Sequence, residues 1–306
     1  MKKLYIKLLI FLLPLLALWG ALEFFYRTTE TNYTYKTAKL IENYDCIETL
    51  ILGDSHTFYG LDPEYFTSKT FNLANISQTL YFDELLLEKH IDSMDSLKTV
   101  ILNVSYFSLS SLENSKEDSW RKYFYEAQMD LDVPIVSSFA PQKYSLALAR
   151  RLHKSLELTH QYHDNGTIVN CYKNGYGIQD ENDIVTDKEN ISIFIAKKHE
   201  DGLLDFKNNT VRLQRMIALC QNRNVKVLLI EMPVYPTYYD LLDQEKWSKI
   251  ETTLHLLAKE HQNTDHLDLT QHSTFNKEDL RDADHLTNNG AKKCSRLVDD
   301  YLKATL

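Results

Sequence analysis

The chain is poor in glycine, with eight residues in 306, and poor in cysteine, with four. Cys46, Cys171, Cys220 and Cys294 are widely scattered, so no metal-ligand spacing exists among them. Cys220 and Cys294 fall in helix-like segments and read as small buried residues. A disulfide stays open, because the domain is expected outside the cytoplasm. Positive charge is short as well: 34 Lys and Arg against 43 Asp and Glu give a formal net charge of -9. With no basic cluster beyond the N-terminus, that balance argues against a nucleic-acid-binding surface. There is no internal repeat and no long low-complexity tract. What remains is an ordinary globular composition, 43% hydrophobic and 25% charged, in a length that holds one large domain or two small ones. Tyrosine is abundant, at 19 residues; it suits stacking on sugars, and it equally suits strands and cores.

The N-terminus departs from that composition. Lys2, Lys3 and Lys7 precede an apolar run from Leu8 to Leu22, which continues past Glu23 to Phe24, Phe25 and Tyr26. Residues 8–26 are just long enough to cross a bilayer core of roughly 30 Å. The leading lysines predict a cytoplasmic segment over residues 1–7 and an exported remainder, in the periplasm or at the cell surface. A cleaved signal peptide is the alternative. Trp19 and Leu22 spoil a small-x-small cleavage pattern around Ala17 to Ala21, and no lipobox cysteine follows, which favours an uncleaved anchor.

Residues 27–45, rich in Thr, Tyr, Asn and Lys, read as a juxtamembrane connector to a domain over 46–306. Buried strands are expected at 47–52, 69–74, 99–104, 225–230 and 267–269, with helical spacing over 80–91, 144–158, 209–220, 247–261 and 290–302. Strands separated by helices imply crossovers, hence a mostly parallel five-stranded sheet in an α/β fold with helices on both faces. About 120 residues separate the third strand from the fourth, too many for a simple crossover. The stretch 108–202 therefore reads as an insert, either a lid shaping the substrate site or decoration on a sheet edge.

Two short motifs carry chemistry. Gly53-Asp54-Ser55-His56 follows the first strand, and Asp282-Ala283-Asp284-His285 lies in the loop after the last. Ligands of parallel α/β sheets bind beyond the carboxyl ends of the strands, so both motifs are expected on one rim. A serine there can attack, a histidine can take its proton, and an aspartate can fix the imidazole tautomer. Ser55, His285 and Asp282 are the expected nucleophile, base and orienting acid. Either carboxylate of the second motif is able to orient the ring; Asp282 is preferred on spacing, leaving Asp284 solvent-facing or in support. Gly53 lets the chain turn closely, Asp54 braces the turn, and His56 is expected as a wall residue. A metal site from Asp282, Asp284 and His285 is conceivable, but no matching ligand cluster occurs elsewhere, so no metal or cofactor is expected.

The pairing of Gly53-Asp54-Ser55 with Asp282-x-x-His285 resembles the SGNH/GDSL hydrolase superfamily. The resemblance spans residues 46–306 and implies a flavodoxin-like three-layer α/β/α domain with metal-free esterase or acyltransferase activity. Two parts of the family pattern differ. No glycine stands in Phe71-Asn72-Leu73-Ala74-Asn75-Ile76-Ser77-Gln78, where an oxyanion glycine is usual, and Asn103-Val104-Ser105-Tyr106 replaces a Gly-x-Asn-Asp. Besides the Ser55 amide, Asn75 and Asn103 are the candidate oxyanion donors. Anchored members of the superfamily handle O-acyl groups on surface polysaccharides, so the resemblance implies an acylated carbohydrate substrate. Three activities stay open: an esterase, a transferase or acyl-relay partner of a membrane acyltransferase, and a glycan-binding protein that has lost its oxyanion hole.

Overall fold

The computed structural model describes residues 2–111 and 118–305. In chain order these form α1 (Lys2–Thr28), α2 (Asn32–Glu42), β1 (Thr49–Leu52), α3 (Ser55–Gly60), β2 (Thr70–Asn72), α4 (Leu80–His90), β3 (Thr99–Asn103), α5 (Arg121–Gln128), α6 (Pro141–Tyr144), α7 (Leu152–Asn165), α8 (Lys188–His199), α9 (Lys207–Asn222), β4 (Lys226–Glu231), α10 (Pro236–Leu241), α11 (Gln244–Glu260), β5 (Thr264–Asp268) and α12 (Asn288–Thr305).

Two compact units share these elements. The first takes the described residues up to Thr37 and those from 118 to Asn170; the second takes Ala38 to Ser111 and Cys171 onward. The stretch expected as one insert, 108–202, thus divides between them: its middle joins the N-terminal helices, and α8 belongs with the sheet. Residues 112–117 of that stretch lie outside the described residues.

In the first unit, α1 is the helix long and apolar enough to cross a membrane. It begins six residues before the expected span and continues two beyond it. The expected connector is not featureless, because α2 occupies 32–42. Tyr33 of α2 packs edge-on against Tyr125, with ring centroids 5.0 Å apart. The single helix expected over 144–158 is broken. A 3-10 turn at Leu146–Leu148 separates α6 from α7, because Ser145 and Ala147 turn aside to satisfy Glu23 of α1.

The second unit is a five-stranded, all-parallel sheet in the order β2-β1-β3-β4-β5. This is the mostly parallel α/β sheet expected from the strand and helix pattern, in the flavodoxin-like order that the resemblance implies. The strands are short, and every residue of β1 and β3 is buried, as parallel strands covered on both faces require. Right-handed crossovers send α3 to one face and α4, α9 and α11 to the other, since the chain moves from β1 outward to β2 and then back across to β3. The packing agrees: α4 lies against α9, and α12 returns to lie against α3. β5 runs from Thr264 to Asp268, upstream of the expected 267–269. It is an edge strand with only partial burial, so its apolar signal is weak.

The order reverses between β1 and β3, whose carboxyl ends stand side by side, Leu52 opposite Leu102. Such a switch point opens a crevice, and the turn after β1 enters it.

Candidate active site

Gly53 leaves β1 with φ +129°, a conformation L side chains rarely adopt, and a Cβ there would lie 2.5 Å from Asn103 Cβ. Closeness to β3 and the backbone angle both require glycine. Gly53→Ala is expected to lower the thermal midpoint by several degrees and to distort the turn. A variant as stable as the parent would show that β1 and β3 do not approach this tightly.

Beyond Gly53 the chain enters α3 directly. Asp54 is its N-cap, accepting the His56 N–H at 2.9 Å. Ser55 is the first helical residue, so its own N–H has no acceptor within the helix. On the other side, the 280–286 loop closes on itself. Leu280 bridges Leu286, and Arg281 N–H donates to the His285 carbonyl at 2.8 Å. Asp282 Oδ1 accepts the N–H groups of Asp284 and His285 at 3.1 and 2.9 Å, fixing the turn that carries the imidazole.

The two motifs meet. Ser55 Oγ lies 2.8 Å from His285 Nε2, and His285 Nδ1 lies 3.0 and 3.1 Å from the two carboxylate oxygens of Asp282. Asp284 is also in reach, with Oδ1 3.1 Å from the same Nδ1. It is 3% exposed, so of the two positions expected for it, solvent-facing or in support, it takes the supporting one. Asp282, two residues earlier, holds the backbone turn while Asp284 points inward.

His56 is more than a wall. Because Ser55 begins a helix and not an extended turn, His56 stays beside the site, its ring stacked on that of His285 with centroids 5.1 Å apart. Its Nδ1 faces Asp54 Oδ1 at 2.8 Å and its Nε2 faces Asp284 Oδ2 at 3.1 Å. Asp54, His56, Asp284, His285 and Asp282 therefore form a chain of alternating acids and bases. An imidazole with a carboxylate at each nitrogen is satisfied as the doubly protonated cation. Burial opposes that charge, but Asp54 and Asp284 outweigh it and hold the His56 pKa well above the usual imidazole value. Burial likewise opposes the charge on His285, and Asp284 and then Asp282 raise its pKa to about 9. Burial would push Asp284 up, yet His285 and His56 hold it well below the ordinary carboxylate range.

Asn103, expected as an oxyanion donor, has another task. Its amide donates to Asp54 Oδ1 at 2.8 Å and to Ser105 Oγ at 2.9 Å, so both hydrogens brace the network behind the nucleophile. Asn75 stands differently. Its N–H donates to the Gly53 carbonyl at 3.1 Å, its Oδ1 accepts from Ile76, and its Nδ2 has no partner among the described residues. That leaves an amide donor held next to the nucleophile turn.

Several residues were not foreseen. Ser105 Oγ donates to Asp54 Oδ2 at 2.6 Å and touches His56 Nδ1 at 2.7 Å. Its place just after β3, at the switch point, was the available signal. His199, at the end of α8, lies 3.5 Å from Asp284 and 2.8 Å from the Tyr238 hydroxyl. Burial pushes its pKa down to about 4, so it packs as a neutral ring. Asp83 accepts the Gly53 N–H at 3.0 Å and the Gln78 amide at 2.7 Å from below; burial, with Asp54 nearby, raises it to about 7. Nothing in the local sequence marks His199 or Asp83.

One donor atom each from His56, Asp284 and His285 fall within 4.8 Å of one another, a spacing able to take a metal ion. The conceivable metal set had Asp282 in place of His56. Each of these nitrogens already faces an Asp284 oxygen at 3.1 Å, the geometry of a hydrogen-bonded acid–base chain. All four cysteines are free thiols, with Cys220 and Cys294 fully buried.

Comparison with known proteins adds likeness at the level of shape. A model of an uncharacterised family matches residues 201–306, a stretch that includes the Asp282–His285 loop but not Ser55. No curated protein matches the chain in sequence. Among solved structures, a GDSL-like lipase from Bacteroides thetaiotaomicron is similar at TM-score 0.43 and 12% identity, over 90% of this chain and 100% of that one. A Bacteroides fragilis protein provisionally assigned as an acylhydrolase is similar at TM-score 0.44 and 12% identity, over 89% of this chain and 95% of that one. What the site does chemically has to come from its own geometry.

Proposed function

We propose that this chain is a membrane-tethered serine esterase of the SGNH/GDSL type, cleaving O-acyl esters, O-acetyl among them, on cell-envelope carbohydrate. The observation that carries the reading is Ser55 Oγ at 2.8 Å from His285 Nε2, with carboxylates at the other ring nitrogen. Ser55 attacks the ester carbonyl while His285 Nε2 takes its proton, and Asp282 and Asp284 stabilise the imidazolium. The Ser55 N–H and the Asn75 amide are the donors proposed for the tetrahedral oxyanion. His285 then protonates the departing sugar oxygen, leaving an acyl-Ser55. Water, activated by the same imidazole, releases the acid. If a sugar hydroxyl takes the place of that water, the same intermediate makes the protein a transferase, alone or with a membrane acyltransferase partner.

The tether is read from α1, apolar around nearly its whole circumference, with lysines at its N-terminal end. In this reading the sheet-bearing unit lies outside the cytoplasmic membrane, where envelope carbohydrate is found.

Treatment of the full chain with a fluorophosphonate, followed by intact mass and peptide mapping, tests the nucleophile. A single adduct on Ser55 that disappears in His285→Ala is the expected result. A folded protein that takes no adduct would overturn the esterase reading and favour a glycan-binding role.

A further inference from the structure

The polar side chains of α1 have partners that fix a level along the helix. Trp19 Nε1 donates to Ser145 Oγ at 2.9 Å, and that hydroxyl donates to the Glu23 carboxylate at 2.7 Å. Glu23 also accepts the Ala147 N–H at 3.0 Å and the Arg27 guanidinium at 2.8 Å, while Arg27 reaches the Tyr144 carbonyl at 3.2 Å. The segment 144–147 is therefore clasped to α1 between Trp19 and Arg27, about 12 Å of helix at 1.5 Å per residue. That length runs from the last turns of the expected span into the interfacial layer, where Trp and Tyr gather.

Around this clasp the first unit leaves large apolar side chains uncovered. Phe139 is 95% exposed, Tyr144 65%, Leu148 47% and Leu152 51%. Four such groups on one short stretch are costly in water. They flank the segment bound to the end of a helix whose own Leu, Ile and Phe side chains are exposed in the same way. The basic Arg151, exposed beside Leu152, suits the phosphates at that depth.

We infer that Phe139, Tyr144, Leu148 and Leu152 form a lipid-facing collar that dips into the bilayer leaflet from which α1 emerges at its C-terminal end. The occupant of this surface is the headgroup–acyl boundary of the membrane. The clasp places the collar at the depth of Trp19 and neutralises Glu23, the acid that interrupts the apolar run. This inference rests on α1 spanning the bilayer.

Single cysteines carrying an environment-sensitive fluorophore test it in the full-length chain with Cys46→Ser, reconstituted in vesicles of phosphatidylcholine with a minority of phosphatidylglycerol. Probes at Phe139→Cys and Leu148→Cys are compared with His160→Cys, on an exposed position of α7, and with Leu9→Cys inside α1. The expected result is a blue shift and several-fold stronger quenching by a shallow doxyl-labelled lipid at 139 and 148 than at 160. Quenching at Leu9→Cys alone, by deep doxyl lipid, would keep the anchor and overturn the collar; a collar meant for a protein partner would give that outcome. Absence of quenching at Leu9→Cys as well would overturn both.

Discussion

Ser55→Ala is expected to reduce ester turnover by about 10⁴-fold or more while leaving thermal unfolding within a degree or two of the parent. The chemical loss is large because the serine, the imidazole and the carboxylates act as one device. The structural loss is small. Ser55 is half-exposed, and its hydroxyl makes one side-chain hydrogen bond, to His285. Removing that oxygen takes one partner from His285, a part-buried ring whose Nδ1 keeps its contacts with Asp282, so the cost of the lost hydrogen bond is modest. His285→Ala should cost a similar factor, and the double variant little more than either alone, since neither residue works without the other. Turnover that survives in a folded Ser55→Ala protein would mean that another group is the nucleophile. Additive losses in the double variant would mean that Ser55 and His285 act in separate steps.

How much of this was legible beforehand depended on the distance over which each interaction acts. The turn at Gly53-Asp54-Ser55 and the loop at Asp282 to His285 are local, and the strand preceding the first is a plain apolar run, so their meeting on one rim followed from parallel-sheet topology. Asp284 was left between two positions, solvent-facing and supporting, because residue spacing cannot tell a carboxylate that braces its own turn from one that points inward. His56 was underrated because the turn was taken as extended, whereas α3 begins at Ser55 itself. Asn103, Ser105 and His199 take their roles from contacts with residues roughly 50 to 90 positions away, such as Asp54 and Asp284. The same holds for the break between α6 and α7. Its apolar spacing reads as one helix, and the turn at Ser145 and Ala147 is held by residues some 120 positions earlier, Glu23 and Trp19 among them.

The alternating chain of acids and bases sets the pH at which the base can work. His285 must be neutral to accept the Ser55 proton, yet Asp284 and Asp282 raise its pKa to about 9 against the effect of burial. In the parent, kcat/KM is therefore expected to rise about tenfold per pH unit from neutrality and to level near pH 9. Asp284→Asn removes the carboxylate that is almost wholly buried and least screened, so the rising limb should move to lower pH. Asp282→Asn should move it less, because Asp282 is more exposed and its charge is shared with Arg281 at 3.3 Å. Stability must follow with the matching sign. A histidine whose folded pKa is raised contributes stability fully present below its unfolded value near 6.5, and lost as pH climbs through about 9. The parent should lose thermal stability across that window, and Asp284→Asn should flatten the decline. A limb that shifts for Asp282→Asn and stays fixed for Asp284→Asn would show that Asp284 serves His56 alone. The site would then reduce to a three-residue triad, with the second carboxylate holding His56 in place behind it.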